Sequence, residues 1–178
     1  DQTEAIQEVA PPGFKIHYDF TGGGTDDHMP ELLAKLAEYP IAGCFEDSIN
    51  AGDIQSSIDL RRRINLPIVR HQAPLEATYE VLMGAGDAYI RGHQTIGNAI
   101  RAAGLFAAGN IPFMLQNVGG HTTRAMITHM MAAFPSATFH FHNDAEIWKD
   151  DFVKERLEPI NGFVRVPEEP GLGVTLDP

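Results

Sequence analysis

Cysteine, tryptophan and basic residues are scarce in this sequence, and it contains no long apolar run. The single cysteine, Cys44, permits no internal disulfide. It stands in the apolar run Ile41-Ala42-Gly43-Cys44-Phe45 and reads as a small buried side chain in a reducing, cytoplasmic protein. No window approaches the roughly 18–20 uninterrupted apolar residues of a membrane span, so no membrane partner is expected. Thirteen Lys+Arg against 24 Asp+Glu leave a net charge of −11. No basic cluster exceeds Arg61-Arg62-Arg63, so nucleic acid is not an expected partner. The triplet reads as the exposed end of a helix, where cations suit the dipole. Missing too are a phosphate loop, a G-x-G-x-x-G turn, a G-x-S-x-G elbow and an H-E-x-x-H pair.

What is present is an ordinary globular composition: 178 residues, 43% hydrophobic and 21% charged. That length is one domain or a piece of a larger one. Nothing at the start reads as a signal peptide, and the chain opens inside a helical pattern without an initiator Met. Short apolar runs at 14–18, 42–45, 67–69, 88–90, 112–115 and 138–141 read as strands. They lack polar alternation, as strands buried on both faces do. Between them, 29–38, 53–63, 75–83, 96–108 and 122–134 repeat apolar residues on a helical period. The expected inward stripes are Leu32/Leu33/Leu36, Ile54/Ile58, Leu75/Tyr79/Leu82, Ile96/Ile100/Leu105 and Met126/Met130/Phe134. Asp53 and Thr122 read as N-caps, and Gly84 and Gly109 as C-caps.

Repeated β-then-α means parallel strands joined by right-handed crossovers. Polar residues stand at the C-terminal ends of all six strands: Asp19, Glu46, His71, His93, Gln116 and His142, spaced 22 to 27 residues apart. A (β/α)8 TIM-type barrel builds its site from such ends. An open doubly wound sheet also uses strand ends, but fewer of them. The expectation is therefore a partial barrel over residues 1–162 with about six βα units, the first strands lying upstream. Residues 163–178, punctuated by Pro and Gly, are expected to pack toward another domain.

Asp19, Glu46 and His71 could converge on one cation. Hard divalent ions prefer oxygen, and an imidazole shifts the choice toward Mn, Zn or Fe. Gln72 competes with His71, because adjacent strand residues point opposite ways. The blander alternative makes Glu46-Asp47 and Asp19 solvated loop acids. His142 and His93 are candidate general acids or bases, since imidazole titrates near neutrality; alternation puts His140 on the face of His142. His121 reads as local capping, His129 as structural and His17 as a hydrogen-bonded core residue. Gly22-Gly23-Gly24 reads as a mobile loop.

Four features together resemble a known family. They are Tyr18-Asp19 before the Gly-rich loop, Phe45-Glu46-Asp47, Leu66-Pro67-Ile68-Val69, and the ending Val166-Pro167-Glu168-Glu169-Pro170-Gly171-Leu172-Gly173-Val174. In order and spacing they resemble the C-terminal barrel domain of the enolase superfamily, of mandelate racemase/muconate lactonizing enzyme type, with the closest look to the mandelate racemase and glucarate dehydratase branch. The resemblance implies a (β/α)7β barrel beside an N-terminal capping domain. It implies Mg2+ (or Mn2+ or another divalent cation) and removal of the proton α to a carboxylate. Asp19 matches the first ligand and Glu46 the second. The third falls at His71 or Gln72, where the family has Asp, Asn or Glu. Of the branch's acid/base dyad, the strand-six Asp falls at Gly92 and the strand-seven His at Gln116 or Leu115, so the dyad is missing. The strand-eight acid falls at Phe141 or His142, and a Lys-x-Lys would lie before Asp1. The implied activity is that of a dehydratase (lyase) or racemase/epimerase of a small hydroxy or sugar acid, in a homo-oligomer. The alternative is a repurposed member that binds a small carboxylate without turnover.

Overall fold

The structure, a computed structural model, describes residues 2–25, 27–50, 52–71, 77–140 and 143–177. Helix α1 (Gln2–Val9) precedes strand β1 (Ile16–Asp19), and strands then alternate with helices: α2 (Met29–Leu36), β2 (Ala42–Glu46), α3 (Ile54–Arg63), β3 (Ile68–Arg70), α4 (Ala77–Met83), β4 (Ala88–Gly92), α5 (Ile96–Ala108), β5 (Phe113–Gln116) and α6 (His121–Ala133). The chain divides into two compact units, one up to Tyr89 and one from Ile90 on. β4 contributes its first two residues to one and the rest to the other.

In the first unit β1, β2, β3 and β4 pair in parallel, each with its successor. The sheet continues from β4 to β5 with no reversal of order. A doubly wound sheet reverses at a switch point, whereas a barrel adds each strand beside the last. The fold class is therefore that of a partial (β/α) barrel. Apolar strands make it: Phe45, Val69, Ile68, Ile90 and Leu115 are buried, and Phe45, Ile68, Leu33, Ile49, Leu60 and Ile64 share one core cluster.

Local signals explain several boundaries. Asp53 caps α3, accepting from Ser56 N at 2.9 Å, as read from the sequence. Arg61, Arg62 and Arg63 fill its last turn, and Arg61 also donates to Asp87 Oδ1 at 2.6 Å. The other oxygen of Asp87 accepts from Ile68 N at 2.9 Å, so this pair pins the start of β3. Gly109 is the C-cap of α5. Gly84, at φ 69°, follows α4 in the left-handed conformation. Thr122, however, is not a cap. α6 begins at His121 with Gly120 as N-cap, and a Cβ on Gly120 would lie 2.4 Å from Asp151 Oδ2. Asp151 occupies that space and accepts from His121 N at 2.7 Å.

α2 buries the expected face with Leu33 in the core and Leu36 packed against it, though Leu32 is exposed; two other helices bury a different face from the one expected. In α4 Tyr79 and Leu82 are exposed while Glu80 is fully buried; Leu75 lies outside the described residues. The cause is Arg70 on β3, whose Nε and Nη2 each donate to a Glu80 oxygen at 3.1 Å. Its Nη1 donates to Ser57 Oγ at 2.9 Å. In α5 Ile96 and Ile100 are exposed, and Ala99, Ala102, Ala103 and Phe106 face inward. The sixth expected strand is also absent over 138–140, with Phe141 outside the described residues. Phe113 N donates to Ser136 O at 3.2 Å, but Thr138 N turns back to Ser136 O at 2.9 Å and the ladder stops.

Candidate metal centre

Parallel register does the first part of the assembly. Asp19 stands opposite Glu46, and His17 opposite Cys44. Residues two apart share a strand face, so His17 and Asp19 flank Cys44 and Glu46 on one side of the sheet. His71 follows β3 directly. The three strand ends thus present two carboxylates and two imidazoles.

Glu46 is 6% exposed and Asp47 2%, which excludes the alternative of solvated loop acids for this pair. The Glu46 carboxylate is gripped at both oxygens. His17 Nε2 lies 2.7 Å from Oε2, and His71 Nδ1 lies 2.9 Å from Oε1. Burial opposes its charge, but the bonds from His17 and His71 hold its pKa at about 2. Burial likewise opposes charge on His17, yet bonds to Cys44 and Glu46 raise it to about 10. His71 is raised as well, first by its bond to Glu46 against the opposing effect of burial, and then by the Glu46, Asp47 and Asp19 charges.

Ligand atoms of Glu46, Asp47 and His71 lie within 4.8 Å of one another, the spacing of a divalent-ion site. Asp47 is the member that strand alternation does not predict, because it should point away from Glu46. Its φ of 41° ends the strand in the left-handed region and turns it. The bend is held from both sides: Asp47 N donates to Val69 O at 3.1 Å, and His71 N donates to Asp47 Oδ1 at 2.9 Å. Such positions store strain and gather at functional sites.

Asp19 lies beside this cluster, and its Oδ1 accepts from Thr21 N at 2.7 Å, forming the turn into the glycine loop. That loop was expected to be mobile; instead it is bonded to the tip of β2. Phe20 N donates to Glu46 O at 3.1 Å and Gly22 N to Asp47 O at 2.7 Å. A Cβ on Gly24 would meet Ser48 O at 2.0 Å. Gly24 therefore serves close backbone approach, and Gly22, at φ 71°, a left-handed turn.

The remaining candidates fall elsewhere. In the second unit His93 is exposed at φ 47°, and its N–H donates to Gln116 O at 2.8 Å, so these two strand tips are adjacent. Gln72 and His142 lie outside the described residues. His140 is exposed with its ring 5.5 Å from Phe139. His121 is buried and its Nδ1 accepts from Leu157 N at 3.0 Å, while His129 Nε2 meets Leu172 O at 3.2 Å; both are structural. His17, read as a core residue, belongs to the cluster, and its position two residues before Asp19 was the available signal.

The family model described as enolase C-terminal domain-like matches residues 1–178. D-xylonate dehydratase of Haloferax volcanii is 27% identical over 98% of this chain and 43% of its own length. Arabinonate dehydratase of Saccharolobus solfataricus is 25% identical over 99% of this chain and 48% of its own. The chain thus spans about half the length of the curated relatives it matches. A solved structure of a putative L-alanine-DL-glutamate epimerase from Burkholderia xenovorans, bound to magnesium and fumarate, superposes with a TM-score of 0.84. It is 21% identical and is matched over 98% of this chain and 44% of that one, a likeness of fold.

Proposed function

Because the chain belongs to the enolase C-terminal domain-like family, we propose that it forms the catalytic barrel of a dehydratase or epimerase acting on a small hydroxy or sugar acid. The observation that carries this reading is the gathering of buried Glu46 and Asp47 with half-buried His71 at neighbouring strand ends. Two carboxylates and an imidazole fit a divalent cation. The residues assigned to hold it are Asp19, Glu46 and His71 or Gln72, with Asp47 turned toward the same point. When bound, the cation offsets the negative charge that develops on a substrate carboxylate as its α-proton leaves.

The chain's own residues do the rest. The loop after β1 is bonded to the main chain at the tip of β2, and Glu46 and Asp47 are buried there, which strengthens charge interactions at these two groups. His93, held in a left-handed conformation at a strand tip beside Gln116, is assigned the proton transfer to a departing hydroxyl, and His142 is the second candidate acid. The α-proton acceptor is assigned to a lysine before Asp1. Residues 163–178 are assigned to packing against a capping domain, in a cytoplasmic homo-oligomer. Among the described residues no helix is long and apolar enough to cross a membrane.

The test is Asp19→Ala, assayed against a panel of sugar acids in the full-length protein. Metal binding and turnover are both expected to be lost, and turnover at the wild-type rate rejects the assignment. One observation favours a second reading, a carboxylate-binding member without turnover: His17 and His71 already occupy both oxygens of Glu46. Purified protein that carries no divalent ion and turns over no acid in the panel would favour it.

A further inference from the structure

Resting on the metal reading above and carrying it further, we propose that Glu46, Asp47 and His71 form a nitrogen-containing site for a borderline divalent cation of the Mn2+, Fe2+ or Zn2+ class, disfavouring Mg2+. Mg2+ demands near-ideal octahedral oxygen coordination and usually keeps several of its waters. Imidazole suits Zn and Fe, and mixed nitrogen and carboxylate sets hold borderline ions. The structure supplies one imidazole and two carboxylates whose ligand atoms fall within 4.8 Å of one another.

His71 is not a loosely swinging neighbour of this set. Its backbone N–H is bonded to Asp47 Oδ1 at 2.9 Å, and its ring Nδ1 sits 2.9 Å from Glu46 Oε1. The preceding residue, Arg70, is locked by Glu80 and Ser57 on the opposite side of the strand, so β3 delivers His71 at a defined height. Glu46 and Asp47 are more than nine-tenths buried, and main-chain bonds from Phe20 and Gly22 to the carbonyls of these two residues fix the backbone that carries them. The case against Mg2+ is the imidazole in the ligand set, since Mg2+ takes oxygen ligands. A cation held by this set takes the place of the proton between His71 Nδ1 and Glu46 Oε1, so its binding releases that proton.

Affinity rank alone does not test this, since most sites bind Zn2+ above Mn2+. The readout is the donor atom. Metal-stripped full-length protein is loaded with Mn2+ and studied by pulsed electron paramagnetic resonance. Wild type is expected to show 14N couplings from a directly bound imidazole. His71→Asp is expected to keep Mn2+, lose those couplings, and yield it to Mg2+ at a concentration lower by about tenfold or more. His17→Gln is expected to retain them. Mn2+ bound by wild type without nitrogen coupling overturns the inference and leaves the proposed function standing. Couplings that survive in His71→Asp overturn the assignment of His71. Wild type that binds neither Mn2+, Zn2+ nor Mg2+ overturns both this inference and the metal reading beneath it. The wild-type spectrum is decisive by itself if His71→Asp fails to fold.

Discussion

Glu46 carries a negative charge with 6% of its surface exposed, and a carboxylate left alone there would take up a proton. Hydrogen bonds from His17 and His71 keep it ionised; it in turn helps raise His17 to about 10 and shifts His71 upward. Glu46→Gln should therefore release both histidines. With the carboxylate gone, burial acts on His17 with only Cys44 opposing it, and its pKa should fall well below about 10. His71 should move down toward the ordinary 6.5. Histidine ring signals followed by NMR through a pH titration check this, and a His17 that still titrates near 10 would contradict it. Asp19, Glu46 and His71 were legible at this scale because each follows an apolar run. Asp47 and His17 were less so: one is recruited by a single backbone angle, the other by the register between two strands.

At the scale of elements, the connection between β3 and α4 is ionic, and a hydrogen bond to Ser57 ties in α3. Arg70 and Glu80 are both nearly inaccessible and joined by two bonds. Gly86 leaves the room, since a Cβ there would stand 2.7 Å from Arg70 Cγ. Removing one partner of such a pair leaves a buried, uncompensated charge and costs about 3–5 kcal/mol. Glu80→Leu alone should lower stability by that amount in urea unfolding. The double variant Arg70→Met with Glu80→Leu should recover much of it, because a well-packed apolar pair can replace a buried ionic one. A double variant no more stable than the single one would show that the pair organises β3 beyond its charge. The sequence located α4 and α5 but assigned their inward faces wrongly. Hydropathy favours isoleucine and leucine as core residues. It cannot register that an arginine on the preceding strand requires a glutamate, or that alanines rather than isoleucines fill the inward face of α5.

For the molecule as a whole, the histidines set opposing pH limbs. His121 accepts a bond from Leu157 N, and burial together with the Arg124 charge lowers its pKa. Unfolded, it titrates near 6.5, so below that value the unfolded chain binds more protons and stability falls with falling pH. His17 acts in the other direction. Its stabilisation is complete below 6.5 and is lost as pH rises toward about 10. Urea unfolding from about pH 5 to about pH 10 should show both limbs. His121→Gln, which can still accept from Leu157 N, should flatten the acid limb alone. An unchanged acid limb would assign the proton uptake to other groups.

The order of strands and helices, the parallel sheet and the polar strand ends were written in the sequence, because chain-local periodicity and turn chemistry decide them. The inward faces of α4 and α5, the pinned glycine loop and the convergence of Asp47 and His17 on Glu46 were decided only by tertiary structure. Those features depend on which side chains meet across strands far apart in the chain. A buried charge selects its partner by distance in space, which no linear pattern records.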